Sequence, residues 1–375
     1  MLEAILYILY GVLLLVFVAG VWRLRYAYSH FQMKGVATTP HDSADLPSVT
    51  VCIPARNEMH AMTECLERVI ASNYPKLEVI VLDDHSRDDT STLIKAYAHE
   101  GVRFVEGSAL PEGWLGKNHA LQGLLKHASG KYVLFMDVDT RLSPDSIGQL
   151  VEYTLREDVK MVSVLPRRDD GMRSSVLFST LRYFWEIMFH RKESPATASN
   201  AWLIHRQTLI ETWQGFSAFK SAIQPESKLS AALMATNDYR FVIGSQLLGI
   251  SYEKKWRSQV ETSIRLLFPL LGSKTSHGII AFLDMLIVAW PLFVLLSGFV
   301  YGWGIHQLLS GVLILMFGGL YYSYLRRVRS HGRVLGALLW PIIVVQEAIV
   351  LVMSMERYER GAVTWKGRVI KVPKS

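Results

Sequence analysis

Residues Ala4 to Trp22 contain no charged side chain. A run of this length satisfies its backbone polar groups inside lipid only as a helix. The segment starts Met1-Leu2-Glu3, without the basic start or small-residue cleavage site of a signal peptide, and runs into Trp22-Arg-Leu-Arg-Tyr26. It is therefore read as a retained anchor spanning residues 1–25, and the positive charge after it places the central part of the chain in the cytoplasm. Three more apolar stretches lie near the other end: Ile280 to Val300, interrupted by Asp284 and Pro291, then Gly304 to Leu325 and Val334 to Met353. Between the last two, Arg326-Arg-Val-Arg-Ser-His-Gly-Arg333 should face the cytoplasm. A third C-terminal crossing would send the basic tail 356–375 to the opposite side, against that rule. Gln346 and Glu347 inside the last stretch leave a re-entrant or interfacial placement open. The expected location is the inner cell membrane, multi-pass, with the central domain cytoplasmic.

Composition agrees with this layout. Of 375 residues, 50% are hydrophobic and 19% charged, and the mean hydropathy of +0.20 is high for a soluble chain. The net charge of +7 sits beside the apolar runs, which favours anionic headgroups over nucleic acid as its partner. Cys52 and Cys65 make no metal-binding spacing and read as small buried residues of a reducing compartment.

After a polar linker over 26–47, the texture becomes alternating strand and helix. Ser48–Pro54, Leu77–Leu82, Val102–Val105, Tyr132–Met136 and Met161–Val164 are short β-rich runs. Between them, apolar residues at Met62, Cys65, Leu66, Val69 and Ile70 recur at helical spacing. This pattern predicts an α/β domain over 48–275 with a mostly parallel sheet, whose ligands bind at the carboxyl ends of the strands. Polar clusters fall at three of those ends: Pro54-Ala-Arg-Asn-Glu58, Asp83-Asp-His-Ser-Arg-Asp-Asp-Thr90, and Asp137-Val-Asp139. Strand alternation puts Asp137 and Asp139 on one side, where they can share Mg²⁺ or Mn²⁺. Alone, each cluster also fits something plainer: a strand end with a turn, a helix cap from Asp88 or Ser86, or a solvated loop. Together they describe one polar crevice.

Val51-Cys-Ile-Pro-Ala-Arg-Asn-Glu58, Val81-Leu-Asp-Asp-His-Ser-Arg-Asp-Asp-Thr90 and Phe135-Met-Asp-Val-Asp139 resemble, in order and spacing, the signature of the family 2 glycosyltransferases with the GT-A (Rossmann-like) fold. Leu110-Pro-Glu-Gly-Trp-Leu-Gly-Lys-Asn-His-Ala120 and Val363-Thr-Trp-Lys-Gly-Arg368 are similar to its membrane-bound branch acting on carotenoid- and hopanoid-type lipids. The resemblance covers Ser48 to Pro166 closely and extends loosely to Arg265. It implies that Pro54, Arg56 and Glu58 shape the loop beneath a nucleotide base. Asp83 or Asp84 would accept a uracil imide N–H, and Lys117 would approach the pyrophosphate. Asp137 and Asp139 would place the metal against the diphosphate of a UDP-sugar.

The resemblance also implies a Glu-Asp pair after a Gly-Gly-Phe-like turn, with the Asp as general base. This chain has Gln214-Gly-Phe216 and then Pro225-Glu226. Glu226 takes the base role one methylene longer, or else only caps its helix. Thr262-Ser-Ile-Arg-Leu266 stands where processive synthases carry Gln-x-x-Arg-Trp, and the missing tryptophan argues against polymerisation. Arg265 would still reach a phosphate or a headgroup. Arg173 to Lys192 reads as an amphipathic helix, either interfacial and admitting a lipid or part of the core. The expected function is inverting transfer of a hexose from a nucleotide sugar to a membrane lipid or polyisoprenoid-type acceptor. A non-catalytic sugar-nucleotide-binding relative and a processive synthase are the alternatives.

Overall fold

The computed structural model describes residues 2–33, 45–169, 171, 178–366 and 368–369. After helix α1 (Leu2–Phe31) come β1 (Val49–Ala55), α2 (Met59–Ile70), β2 (Leu77–Asp83), α3 (Thr90–Ala96), β3 (Val102–Glu106), α4 (Gly116–His127) and β4 (Tyr132–Met136). Short β5 (Thr140–Leu142) and α5 (Ser146–Arg156) precede β6 (Met161–Leu165), β7 (Arg167–Arg168), α6 (Arg182–Phe189), β8 (Ala201–His205) and α7 (Arg206–Trp213). The domain closes with α8 (Pro225–Ala235), β9 (Tyr239–Ile243), β10 (Ile250–Tyr252) and α9 (Trp256–Leu270).

The main sheet has the order β3-β2-β1-β4-β8-β6-β9. β4 is its middle strand, and β1 lies beside it, parallel to β2 and β4, with Val51 opposite both Val79 and Leu134. The residues of β1 are apolar almost without interruption because helices cover both faces. On one face Met62, Leu66, Ile94, Leu150 and Val151 pack from α2, α3 and α5. On the other, Leu121, Leu124 and Leu229 from α4 and α8 join a cluster that continues through Phe184 into Leu13 and Phe317 of the long apolar helices. One core thus ties the α/β domain to the membrane helices. Cys52 and Cys65 are buried and unbonded to each other, as expected.

The five predicted strands stand within a residue or so of their expected bounds. β8 is an addition to them; it inserts antiparallel between β4 and β6. Its Trp202 packs on Phe135, ring centroids 4.5 Å apart.

Three helices are long and apolar enough to cross a membrane: α1, α10 (Thr275–Tyr301) and α11 (Ile305–Val328). The anchor does not stop at residue 25. Its last turns bury Ala27, Tyr28 and Phe31, Phe31 edge-on to Phe241 at 5.0 Å, so the helix enters the domain core. Of the linker expected over 26–47, residues 34–44 lie outside the described residues. So do residues 173–177 of the helix expected over 173–192, whose described part contains α6.

Of the two to three C-terminal spans expected, α10 and α11 are two, and the third candidate is the stretch Val334–Met353. It is broken into α12 (Arg333–Leu338) and α13 (Trp340–Glu359), and neither is among the three membrane-length apolar helices. Gln346 donates to Phe178 O at 3.1 Å, and Glu347 accepts from Leu181 N at 3.2 Å, so α13 is fastened to the segment leading into α6. At its far end Tyr358 donates to Arg265 O at 2.6 Å. The chain then forms a hairpin, β11 (Thr364–Trp365) and β12 (Arg368–Val369). Through Lys366 and Arg368 that hairpin meets the loops at the carboxyl ends of β1 and β2. The part of the tail described is therefore in contact with the α/β domain.

Candidate active site

The loops after β1 and β2 are zipped to each other by their polar residues. Asn57 adopts φ 52°, donates its N–H to Ser86 Oγ at 2.9 Å and accepts Arg87 N–H at 2.8 Å. Thr90 Oγ1 takes the Glu58 N–H at 2.8 Å. Asp88 serves both helix starts, accepting Thr90 N at 3.2 Å and Met59 N at 3.3 Å. The cap reading and the crevice reading of this cluster are thus both fulfilled by different residues.

Asp83 and Asp84 then part company. The Asp83 carboxylate accepts the Ser86 and Ser91 hydroxyls and the Ser86 N–H, and so closes its own loop. Asp84 lines a cavity of about 180 Å³ with Pro54, Arg56, Glu58, Lys117, Asp137 and Asp139. Arg368 donates to Asp84 Oδ2 at 2.7 Å, with Arg56 3.8 Å away. Lys366 pairs with Glu58 at 2.8 Å. Burial raises the Glu58 carboxyl above its ordinary value against the pull of Lys366.

Opposite stands the end of β4. The Asp137 backbone N–H and Thr140 Oγ1 both donate to Asn200 O, at 2.9 and 3.0 Å, so the residue just before β8 fixes the turn that carries both carboxylates. Lys117, in the first turn of α4, donates to Asp137 Oδ1 at 2.7 Å. Lys254 lies 3.7 Å from Asp139 Oδ2, while Asp139 Oδ1 is buried without a hydrogen-bond partner. Burial holds the Asp139 carboxyl above its ordinary value. A solvent-shielded carboxylate oxygen with an unused lone pair, beside a second carboxylate, suits a hard divalent cation. Among the described residues no group of three or more such ligands forms, so a cation here would need ligand oxygens to complete its shell. Mg²⁺ behaves in this way with substrate phosphates.

The cavity beside this one is built from a turn and a helix start. Gln214 (φ 53°) and Gly215 (φ +73°) form the turn, and a Cβ on Gly215 would collide with Gln122 Oε1. Gln122 uses that oxygen to hold Phe216 N–H at 2.6 Å. Asn118 donates to Phe219 O at 2.8 Å and Ala222 O at 2.7 Å, locking the start of α4 to the stretch of chain leading to Glu226. Pro225 opens α8 and Glu226 follows in its first turn, 2% exposed. Burial raises its carboxyl, with Lys117 and then Arg182 opposing. Glu226 lines a cavity of about 290 Å³ with Trp114, Lys117, Gln224 and Arg265.

The structure therefore brings together eight of the predicted residues: Pro54, Arg56, Glu58, Asp84, Lys117, Asp137, Asp139 and Arg265 line the first cavity. Glu226 adjoins it through Lys117 and Arg265, which line both cavities. Asp83 stands behind. Lys254, Lys366 and Arg368 are site residues that the sequence reading misses; they reach the crevice only through long-range packing, although the Val363–Arg368 motif is a signal for two of them.

This mostly parallel sheet covered by helices, with acidic residues at its strand ends, has the GT-A fold. Residues 50–208 match the family model described as Glycosyl transferase family 2. A 4,4'-diaponeurosporenoate glycosyltransferase of Staphylococcus aureus, strain bovine RF122 / ET3-1, is 34% identical over 122 residues, 32% of this chain and 32% of the relative. The same protein from strain USA300 is 33% identical over the same share of each. The match thus spans about a third of these relatives' length. The mannosyltransferase PcManGT from Pyrobaculum calidifontis, solved with GDP-Man and Mn²⁺, has the same fold, with a TM-score of 0.55 and 18% identity over 98% of this chain and 100% of that one.

Proposed function

We propose that the protein is an inverting glycosyltransferase that moves a hexose from a UDP-sugar to a lipid or polyisoprenoid-type acceptor at the membrane. One observation carries this reading: Lys117 and Arg265 line both the cavity holding Asp84, Asp137 and Asp139 and the cavity holding Glu226. A sugar bound in the first would present its anomeric carbon to the second. The relatives act, by their name, on an apolar carotenoid acid, which fits a domain sharing its core with three membrane-length helices.

In this reading Asp84 accepts the base imide, and Lys117 and Arg265 face the diphosphate. Asp137 and Asp139 would hold Mg²⁺ or Mn²⁺, which supplies charge neutralisation to the departing diphosphate. Glu226 takes the acceptor hydroxyl's proton as that oxygen bonds to the anomeric carbon from the face opposite the leaving group. The bond to the diphosphate breaks with its electron pair, and Lys117 and Arg265 stabilise the charge that appears there. Burial helps, because it raises the basicity of Glu226.

The test is transfer of labelled sugar from UDP-hexose into extracted membrane lipids by the full chain in bilayers, with Asp139→Ala as control. Product formed by wild type and lost in the variant is expected. Equal counts from both would overturn the reading.

A further inference from the structure

A third cavity opens on the membrane side of the crevice, and its lining is strongly cationic. Lys117, Lys254 and Arg265 enter it from the site already described, and Arg168, Arg182 and Arg329 belong to it alone among the three cavities. Asp137 is the only carboxylate lining it among the described residues.

These arginines are deeply buried: Arg168 is 4%, Arg182 5% and Arg329 2% exposed. Arg168 donates to Gln259 Oε1 at 2.6 Å and to Lys254 O at 2.9 Å. Arg329 donates through Nη2 to Ser179 Oγ, and its Nη1 is buried without a hydrogen-bond partner. Arg182 spends Nε on Glu186 at 2.8 Å, and its Nη2 is likewise buried without a partner. Taking guanidinium groups out of water is costly unless an anion and hydrogen-bond acceptors meet them. Glu186 meets Arg182 in this way, but through Nε alone, and Ser179 brings Arg329 an acceptor without a charge. Two orphaned N–H donors in one basic cavity, with Ser179 and Thr180 hydroxyls on its wall, are the complement of a phosphate or carboxylate.

The place is as telling as the charge. Tyr324 and Val328, at the end of α11, and Arg329 just beyond it form one wall. Tyr183 of α6, a helix that packs on α1, forms another. The cavity therefore lies level with the end of a membrane-length helix, where headgroups of bilayer amphiphiles sit.

We infer that the acceptor is an anionic amphiphile, whose phosphate or carboxylate docks among Arg168, Arg182 and Arg329 while its reacting oxygen points toward Glu226. This rests on the transferase reading for the word acceptor; the anion site itself does not.

The full chain in neutral phosphatidylcholine nanodiscs would be titrated calorimetrically with dodecyl phosphate, dodecanoate, dodecanol and inorganic phosphate. At least one dodecyl anion should bind tenfold or more tightly than dodecanol and than inorganic phosphate. Arg182→Gln and Arg329→Gln should each weaken that binding at least tenfold, while Arg182→Lys retains part of it and UDP affinity stays as in wild type. Dodecanol binding as tightly as both anions overturns the inference, and this comparison needs only wild type. Inorganic phosphate matching dodecyl phosphate overturns the amphiphile and leaves a site for free anion. Anion binding with no sugar transfer to any lipid would sink the transferase reading instead.

Discussion

Lys117 Nζ stands 2.7 Å from Asp137 Oδ1, one from the first turn of a helix and the other from just past the end of the sheet's middle strand, β4. Burial pulls the lysine's pKa down, but Asp137 and then Glu226 pull it further up. The ammonium is therefore charged at any working pH, as a group facing a leaving diphosphate needs to be. Lys117→Met should lower the transfer rate by about 10²–10³, the usual loss for one electrostatic stabiliser. Lys117→Arg should keep part of the rate. Initial rates of labelled transfer at saturating donor measure both; a Lys117→Met enzyme with wild-type rate would remove the residue from the mechanism.

Metal dependence rests on Asp139. With one oxygen held near Lys254 and the other orphaned, its carboxylate is available to a cation. Chelation by EDTA should abolish transfer, and added Mn²⁺ or Mg²⁺ should restore it. Asp139→Asn should raise the metal concentration for half-activation at least about tenfold, since even residues that only orient a ligand cost that much. Full activity in excess chelator would refute the site.

The two adjacent acids at the end of β2 should fail in different ways. Asp84 faces the cavity, so Asp84→Asn should weaken UDP binding by about 10- to 100-fold, matching ~1.5–3 kcal/mol for a hydrogen bond to a charged group. Asp83 holds Ser86 and Ser91, so Asp83→Asn should instead lower the unfolding temperature, at a cost of about 1–3 kcal/mol. Calorimetric UDP titration and thermal unfolding of both variants decide it. The reverse pattern would mean that the base is read by Asp83.

Much of this crevice is legible in the sequence because its parts are local. Strand runs such as Tyr132–Met136 are continuous apolar segments, and the acids directly after them are placed by chain connectivity alone. The illegible part depends on distant packing. Nothing local separates Asp83 from Asp84; the distinction comes from Ser91, in the first turn of α3, and from Arg368 in the tail. Gln346 and Glu347 hint at the break in the last apolar stretch, but their partners, Phe178 and Leu181, lie far away in sequence. β8, Ala201–His205, is as long as β4 and β6 but is followed at once by a helix, with no turn residues to mark its end.

Glu226 offers the sharpest pH test. Burial raises its carboxyl above the ordinary value, with Lys117 and Arg182 opposing. A base must be ionised to act, so transfer should rise with pH along a limb that lies above the ordinary carboxylate range. Glu226→Gln should cut the rate by about 10²–10⁴, the span of a lost general base, and abolish that limb. Stability should move the other way. Between the unfolded and the raised folded pKa the native state holds more protons than the unfolded one, so stability falls as pH rises through that window, by ~1.4 kcal/mol for each pH unit the window spans. Glu226→Gln removes this penalty. Its unfolding temperature should therefore match wild type in acid and equal or exceed it at neutral pH, while activity is lost. A variant both inactive and less stable at neutral pH would show that Glu226 holds its helix together rather than moving a proton.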